Sequence, residues 1–345
     1  SLRAVTPEEL AAVTALVGEL RGLRGSDAAG SGAERLMARL DVDAGALALQ
    51  LWTRFDDGLP SDGLLRLAGR GLAVRVDGSP LPLATADLEA ELERRPAGET
   101  QLRLRRLALD DGRDFELKLT GRARQLLRID AGGRLAGGQL SLARFDAAKL
   151  LAIARALPLP EGLGERLAPL RVSGTVEAAD LHWDGDASYE LDLRFDGLSF
   201  ARDEAPPPPP ALGLPSFDKL SGRAVLGPSG GRLQLSGRRT TLGEHRPQRV
   251  EVLDARVRWQ LAAGDDGSVP WVDVDIDSFR FASADAAGDL SGRYSSGGKG
   301  LGSVDLEGRL SRADATRVAR YLPLAIDADV RDWVARSIVA GRSND

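Results

Sequence analysis

From Val272 to Asp277 the chain alternates apolar and acidic residues without a break: Val272-Asp273-Val274-Asp275-Ile276-Asp277. A period of two is that of a β-strand, so Val272, Val274 and Ile276 share one face and the three carboxylates share the other. The same pattern recurs along most of the chain. It is carried by Leu47, Leu49 and Leu51, by Leu72, Val74 and Val76, and by the runs 101–105, 115–119, 189–195, 220–226, 232–236, 251–261, 288–294 and 303–310. Turn pairs such as Asp77-Gly78 and Asp111-Gly112 separate the runs, and long helical stretches do not intervene. That spacing predicts antiparallel hairpins rather than a parallel α/β sheet.

A period near 3.6 replaces the alternation in a few places. Thr6-Pro7-Glu8-Glu9 is a helix start, and Leu10, Val13, Leu16, Val17 and Leu20 follow as one apolar stripe. Residues 146–157 form an amphipathic helix stopped by Pro158, with a short helix over 161–167. Residues 311–324 and 327–340 predict a second helical pair. The two regions resemble each other: Ala143-Arg144-Phe145-Asp146 leads to Leu157-Pro158-Leu159, and Ser311-Arg312-Ala313-Asp314 leads to Leu322-Pro323-Leu324. This reads as an internal repeat in which a β block is closed by a helical hairpin. The expected organisation is a helical segment over 1–40, β sequence over 41–142, a helical hairpin over 143–168, β sequence over 169–310 and a helical segment over 311–345. The proline run within 205–215 must be extended, and is expected to be an exposed loop.

Composition narrows the function. A hydrophobic content of 43% excludes a mostly disordered chain, and aromatics at 5% leave the packing to Leu, Val and Ala. A net charge of -5 from nearly balanced acids and bases gives no footprint for nucleic acid. Without cysteine and with only His182 and His245, the chain is poorly provided for zinc or a histidine-based triad, and no cofactor is expected. The lack of thiols suits an oxidising compartment. No apolar window is long enough to span a membrane, and the start at Ser1 suggests a piece of something larger.

Isolated motifs do not assemble a catalytic site. Asp273, Asp275 and Asp277 imitate the start of a calcium loop, but Ser278 and Ala284 stand where glycine and glutamate belong. Gly297-Gly298-Lys299-Gly300 lacks the flanking residues of a phosphate loop and reads as a hairpin turn. His182 beside Trp183 has no nucleophile motif to serve. The five tryptophans, Trp52, Trp183, Trp259, Trp271 and Trp333, are scattered, which disfavours a carbohydrate-binding module. The last predicted helix sets Val330, Trp333, Val334 and Ile338 on one side, for core packing or for a partner or membrane surface. The chain is not expected to be an enzyme.

Several of these segments resemble one family. Gly288-Asp289-Leu290-Ser291-Gly292-Arg293-Tyr294, then Gly300-Leu301-Gly302-Ser303-Val304-Asp305-Leu306-Glu307-Gly308-Arg309-Leu310-Ser311-Arg312-Ala313-Asp314, then Tyr321-Leu322-Pro323, Asp332-Trp333-Val334 and Gly341-Arg342 are similar to the YhdP family of AsmA-like proteins. So are Leu167-Ala168-Pro169-Leu170-Arg171-Val172-Ser173-Gly174, Leu220-Ser221-Gly222 and Gly230-Gly231-Arg232-Leu233-Gln234-Leu235. The specific likeness spans residues 142–345. It implies a mainly β fold: an elongated antiparallel sheet curled into an open groove with an apolar lining. It also implies a periplasmic location, an inner-membrane anchor outside this sequence, and phospholipid movement between inner and outer membrane with envelope proteins as partners. The alternating apolar positions then become the lining: Leu117, Leu119, Leu191, Leu193, Phe195, Leu233, Leu235, Val257, Trp259, Val272, Val274 and Ile276. A one-residue bulge would invert the face that any strand presents. The alternative is an envelope scaffold whose apolar faces are fully covered and hold no lipid.

Overall fold

The structure is a computed structural model that describes residues 40–56, 59–76, 79–81, 83–95, 98–113, 116–119, 125–130, 135–156, 168–185, 188–202, 216–243, 248–262, 271–296, 302–322 and 327–344. The predicted first helix, the helix over 161–167, the proline run and the Gly297–Gly300 turn lie outside the described residues. Among those described, eighteen strands belong to one sheet, and every ladder between them is antiparallel. The expectation of a mainly β, antiparallel chain therefore holds. The chain divides into two compact units: residues 1–168 with 176–190, and residues 169–175 with 191–345.

The first unit contains β1 (Leu40–Asp56), β2 (Leu59–Val76), β3 (Ser79–Leu81), β4 (Thr85–Arg94), β5 (Thr100–Asp110), β6 (Glu116–Lys118), β7 (Leu126–Ile129), β8 (Leu135–Leu142) and β9 (Phe145–Asp146). Ladders run β1–β2–β4–β5, both β6 and β7 pair with β5, and β7 leads on to β8. Between β7 and β8 a side chain completes the ladder. The buried Gln125 amide donates to the Ser141 carbonyl at 3.1 Å, and its oxygen accepts from the Ser141 N–H at 2.7 Å. That satisfies both backbone groups just past the end of β7. Helix α1 (Ala147–Ala156) starts where the Asp146 carboxylate accepts from the Lys149 N–H at 2.9 Å. It is tied down by Lys149 Nζ on Asp111 at 2.7 Å, with the Asp111 side chain almost wholly covered.

The second unit is built from β10 (Leu170–Asp184, shared with the first), β11 (Ser188–Arg202, likewise shared), β12 (Phe217–Gly227), β13 (Gly230–Leu242), β14 (Gln248–Ala262), β15 (Trp271–Ser283), β16 (Ala286–Ser296), β17 (Ser303–Asp314) and β18 (Arg342–Asn344). From β11 to β18 each strand pairs with the next. Its core gathers around Phe195, Leu220, Ala224, Val250 and Leu253.

The C-terminal segment departs from the expected helical pair. Residues 311–314 remain strand, because Arg312 and Ala313 pair with Ala287 and Ala286 on one side and with Asn344 and Ser343 on the other. Only then does a 3-10 helix (Ala315–Tyr321) begin, capped by Asp314, followed by α2 (Ala328–Ser337), capped by Asp327. Arg320 reaches Asp285 at 2.8 Å and holds the 3-10 helix to the β15–β16 turn. Both regions singled out as a repeat thus share an aspartate cap after a strand, with α-helix following one and 3-10 helix the other.

Candidate functional site

Side chains that face each other across an antiparallel ladder lie on the same side of the sheet. In the second unit this rule assembles four rungs that run unbroken from β11 to β17. One is Leu191–Leu226–Gly231–Trp259–Val274–Tyr294–Val304. The next is Leu193–Ala224–Leu233–Val257–Ile276–Gly292–Leu306, then Phe195–Gly222–Leu235–Ala255–Phe279–Leu290–Gly308, then Leu198–Leu220–Gly237–Leu253–Phe281–Gly288–Leu310. No charged residue interrupts them. A single apolar face therefore crosses seven strands.

Two features of sequence keep that face continuous. In β15 Asp277 and Ser278 together oppose Ser291, a bulge that adds one residue. Without it, Phe279 and Phe281 would fall on the side of the carboxylates; with it they stay in phase with Ile276. Within the rungs, glycine or alanine is interspersed among the large residues. A Cβ on Gly222 would sit 2.0 Å from the Gln234 carbonyl oxygen, and one on Gly288 would sit 2.3 Å from that of Arg309. A Cβ on Gly231 would strike the Trp259 ring at 2.6 Å. The glycines mark where neighbouring strands and rings lean over this face, which a bulkier residue would prevent.

Coverage of the face is uneven. Phe195, Leu220 and Leu253 are buried, whereas most rung residues are half-buried, and at β17 Val304, Leu306 and Leu310 are 63%, 48% and 51% exposed. The α2 helix does not cover it: α2 contains no buried residue, and Trp333 is 65% exposed. The one side of α2 on which Val330, Trp333 and Val334 fall is not a core face.

The opposite side is charged and paired across strands. Arg223 grips Asp192 through both oxygens, Arg258 does the same with Asp277, and Arg293 Nε contacts Asp275 at 2.8 Å. The hydrogen bond from Arg223 holds the Asp192 carboxyl below its ordinary range, and Arg258 does so for Asp277. These pairs are largely exposed, so solvent screening leaves each only a small contribution to stability. Their role is to fix register and keep that side in water. Two of the three carboxylates that imitate a calcium loop are thus engaged by arginines, and no cluster of metal-ligating side chains occurs among the described residues.

The first unit repeats the design. Gly63–Leu92–Leu102–Leu127–Gly138–Trp183 is one rung, and Leu65–Ala90 and Leu67–Leu88–Leu107 lie beside it. Here too a tryptophan covers a glycine, with a Gly138 Cβ only 2.5 Å from the Trp183 ring. Trp183 is half-buried and neighbouring His182 exposed, as alternation requires.

Of the twelve residues expected to form a lining, nine lie in the four rungs: Leu191, Leu193, Phe195, Leu233, Leu235, Val257, Trp259, Val274 and Ile276. Val272 stands one step further along, opposite Leu261. Leu117 and Leu119 belong to the first unit, Leu117 buried opposite Leu109 and Leu119 bridging Leu142. Reading the chain strand by strand missed Leu198, Leu220, Leu226, Leu253, Phe279, Phe281, Leu290, Val304, Leu306 and Leu310. For Phe279 and Phe281 the signal was there but out of phase. The glycines carried one as well, in the recurrent Leu-Ser-Gly-Arg of 220–223, 235–238 and 290–293.

Among the described residues no helix is long and apolar enough to cross a membrane. The family model described as "YhdP protein" matches residues 20–345. No curated protein and no solved structure matches the chain.

Proposed function

Since this chain belongs to the YhdP family of AsmA-like proteins, we propose that it is the periplasmic part of an inner-membrane-anchored protein that conducts phospholipids between the inner and outer membranes. The observation that carries this reading is the set of four apolar rungs, continuous over seven strands and only half covered. A soluble domain seldom leaves so extended an apolar face without an occupant. Acyl chains suit it in chemistry and shape. A diacyl lipid with roughly thirty methylenes forfeits on the order of 24 kcal/mol when fully exposed to water, at about 0.8 kcal/mol each. An apolar trough made by curling this sheet about its rungs removes most of that barrier and leaves the headgroup in solvent. The chain acts as a passive conduit and not as an enzyme; envelope proteins at either membrane are its partners, and the direction of flow is set elsewhere.

Native mass spectrometry with lipid extraction, on the 345-residue chain purified from a Gram-negative host, tests this. Phospholipid should co-purify, and Leu193→Asp with Val274→Asp should remove it while leaving the β circular-dichroism signal intact. A lipid-free, monodisperse wild type would replace the conduit with an envelope scaffold.

A further inference from the structure

The polar side of the second unit follows two charge patterns. From β14 to β17 the signs alternate across the strands: Arg258–Asp275–Arg293–Asp305 is one row and Asp254–Arg280–Asp289–Arg309 another. Opposite charges that face each other across a ladder stabilise it, and like charges destabilise it. From β11 to β14 that rule is broken twice. Arg194 faces Arg223, and Arg232 faces Arg258. Arg256 lies on the Arg194 row, joined to it through Arg223 and Gln234. All five arginines are exposed.

Two carboxylates serve these five guanidiniums. Asp192 takes Arg223, and Asp277 takes Arg258. Arg194 and Arg232 lie near enough to add to the effect of Arg223 on the Asp192 carboxyl, and Arg256 adds to that of Arg258 on Asp277. Yet Arg194, Arg232 and Arg256 make no ion pair of their own among the described residues. In a chain of net charge -5 this is a local excess of positive charge, held at a cost in cross-strand repulsion.

We infer that this arginine patch docks an extended acidic segment of a partner protein, with carboxylates on alternate residues. Carboxylate is the group these guanidiniums already bind, since Arg223 and Arg258 each hold one through both oxygens. Arg256 and Arg258 are two residues apart on β14, about 7 Å, which is the repeat of alternate side chains in an extended segment. No aromatic side chain stands on the two arginine rows, so the patch lacks the stacking platforms of a nucleic-acid site. A broad anionic surface is a poorer match than a narrow segment. Towards β17 it would also meet Asp273, Asp289, Asp305 and Glu307. The patch lies on the side of the sheet away from the rungs, so the inference is independent of the lipid reading.

Fluorescence anisotropy at low ionic strength, with a labelled oligoglutamate peptide and the 345-residue chain, tests it. The peptide should bind, and binding should weaken as salt is added. The triple variant Arg194→Gln, Arg232→Gln, Arg256→Gln should lower affinity by on the order of tenfold, as the loss of three exposed ion pairs implies. Arg280→Gln, Arg293→Gln, Arg309→Gln changes the net charge equally but lies in the alternating region, and should lower affinity by less than about twofold. All six side chains are exposed, so both variants should keep the wild-type circular-dichroism spectrum. An absence of peptide binding, or equal losses in the two triple variants, would overturn the patch. Phosphatidylglycerol vesicles that bind more tightly than the peptide, and are released by the first triple variant, would replace the acidic segment with a lipid surface and overturn the inference as stated. None of these outcomes bears on the apolar face.

Discussion

At the level of single residues, the glycines of the apolar face do what apolar residues cannot. The Gly222 Cα faces the Gln234 carbonyl so closely that a Cβ there would sit 2.0 Å from the oxygen. Gly222→Val should therefore lower unfolding stability by about 3 kcal/mol through overpacking, read from urea midpoints. Unchanged stability would mean that β12 and β13 do not approach this closely. The charged side makes a smaller contribution of a different kind. Asp192 has its pKa lowered in the folded state by Arg223, so the pair contributes above the ordinary carboxyl range and that contribution fades as pH falls through the lowered value. Between about pH 6 and about pH 2.5, Asp192→Asn should flatten the acid loss of stability by less than about 1 kcal/mol, since Arg223 is half exposed. A larger change would show the pair to be more protected from water than its exposure indicates.

At the level of elements, the bulge at Asp277–Ser278 carries the most consequence for its size. Strict alternation is a local signal, and it ends at Asp277; Phe279 and Phe281 resume it one residue late. Deleting Ser278 should turn both phenylalanines to the charged side and cost on the order of 4 kcal/mol, about 2 kcal/mol for each ring. Thermal denaturation with near-ultraviolet circular dichroism would detect it, and a deletion mutant as stable as wild type would show that β15 has slipped register to compensate. The C-terminal segment illustrates the opposite limit of sequence reading. The helical period after Ser311 was legible, yet pairing with β16 and β18 kept residues 311–314 extended, because ladder hydrogen bonds outweighed a weak helix propensity.

For the whole molecule, the partly covered apolar face of the second unit sets the expected behaviour. If acyl chains occupy it, stripping them with detergent and then removing the detergent should drive self-association, visible as a rise in mass by light scattering. Returning short-chain phospholipid should restore the smaller species. A stripped chain that stays monomeric would show the face to be closed by the protein itself.

Alternation of apolar and polar residues was enough to establish that this chain is made of antiparallel strands, and to sort Leu191, Leu193, Phe195, Val274 and Ile276 onto one side of their strands. Those facts follow from a two-residue period, which is local. The helix that follows Asp146 was equally legible, since a helix start depends on its own first turn. Which strand lies beside which, and therefore that Leu193 continues through Ala224 and Leu233 to Leu306, depends on hydrogen bonds between distant residues and emerged only with the fold. The same holds for the tryptophans. They are scattered in sequence, yet Trp183 and Trp259 each lie over a glycine of the adjacent strand, because cross-strand neighbours are chosen by register and not by order along the chain.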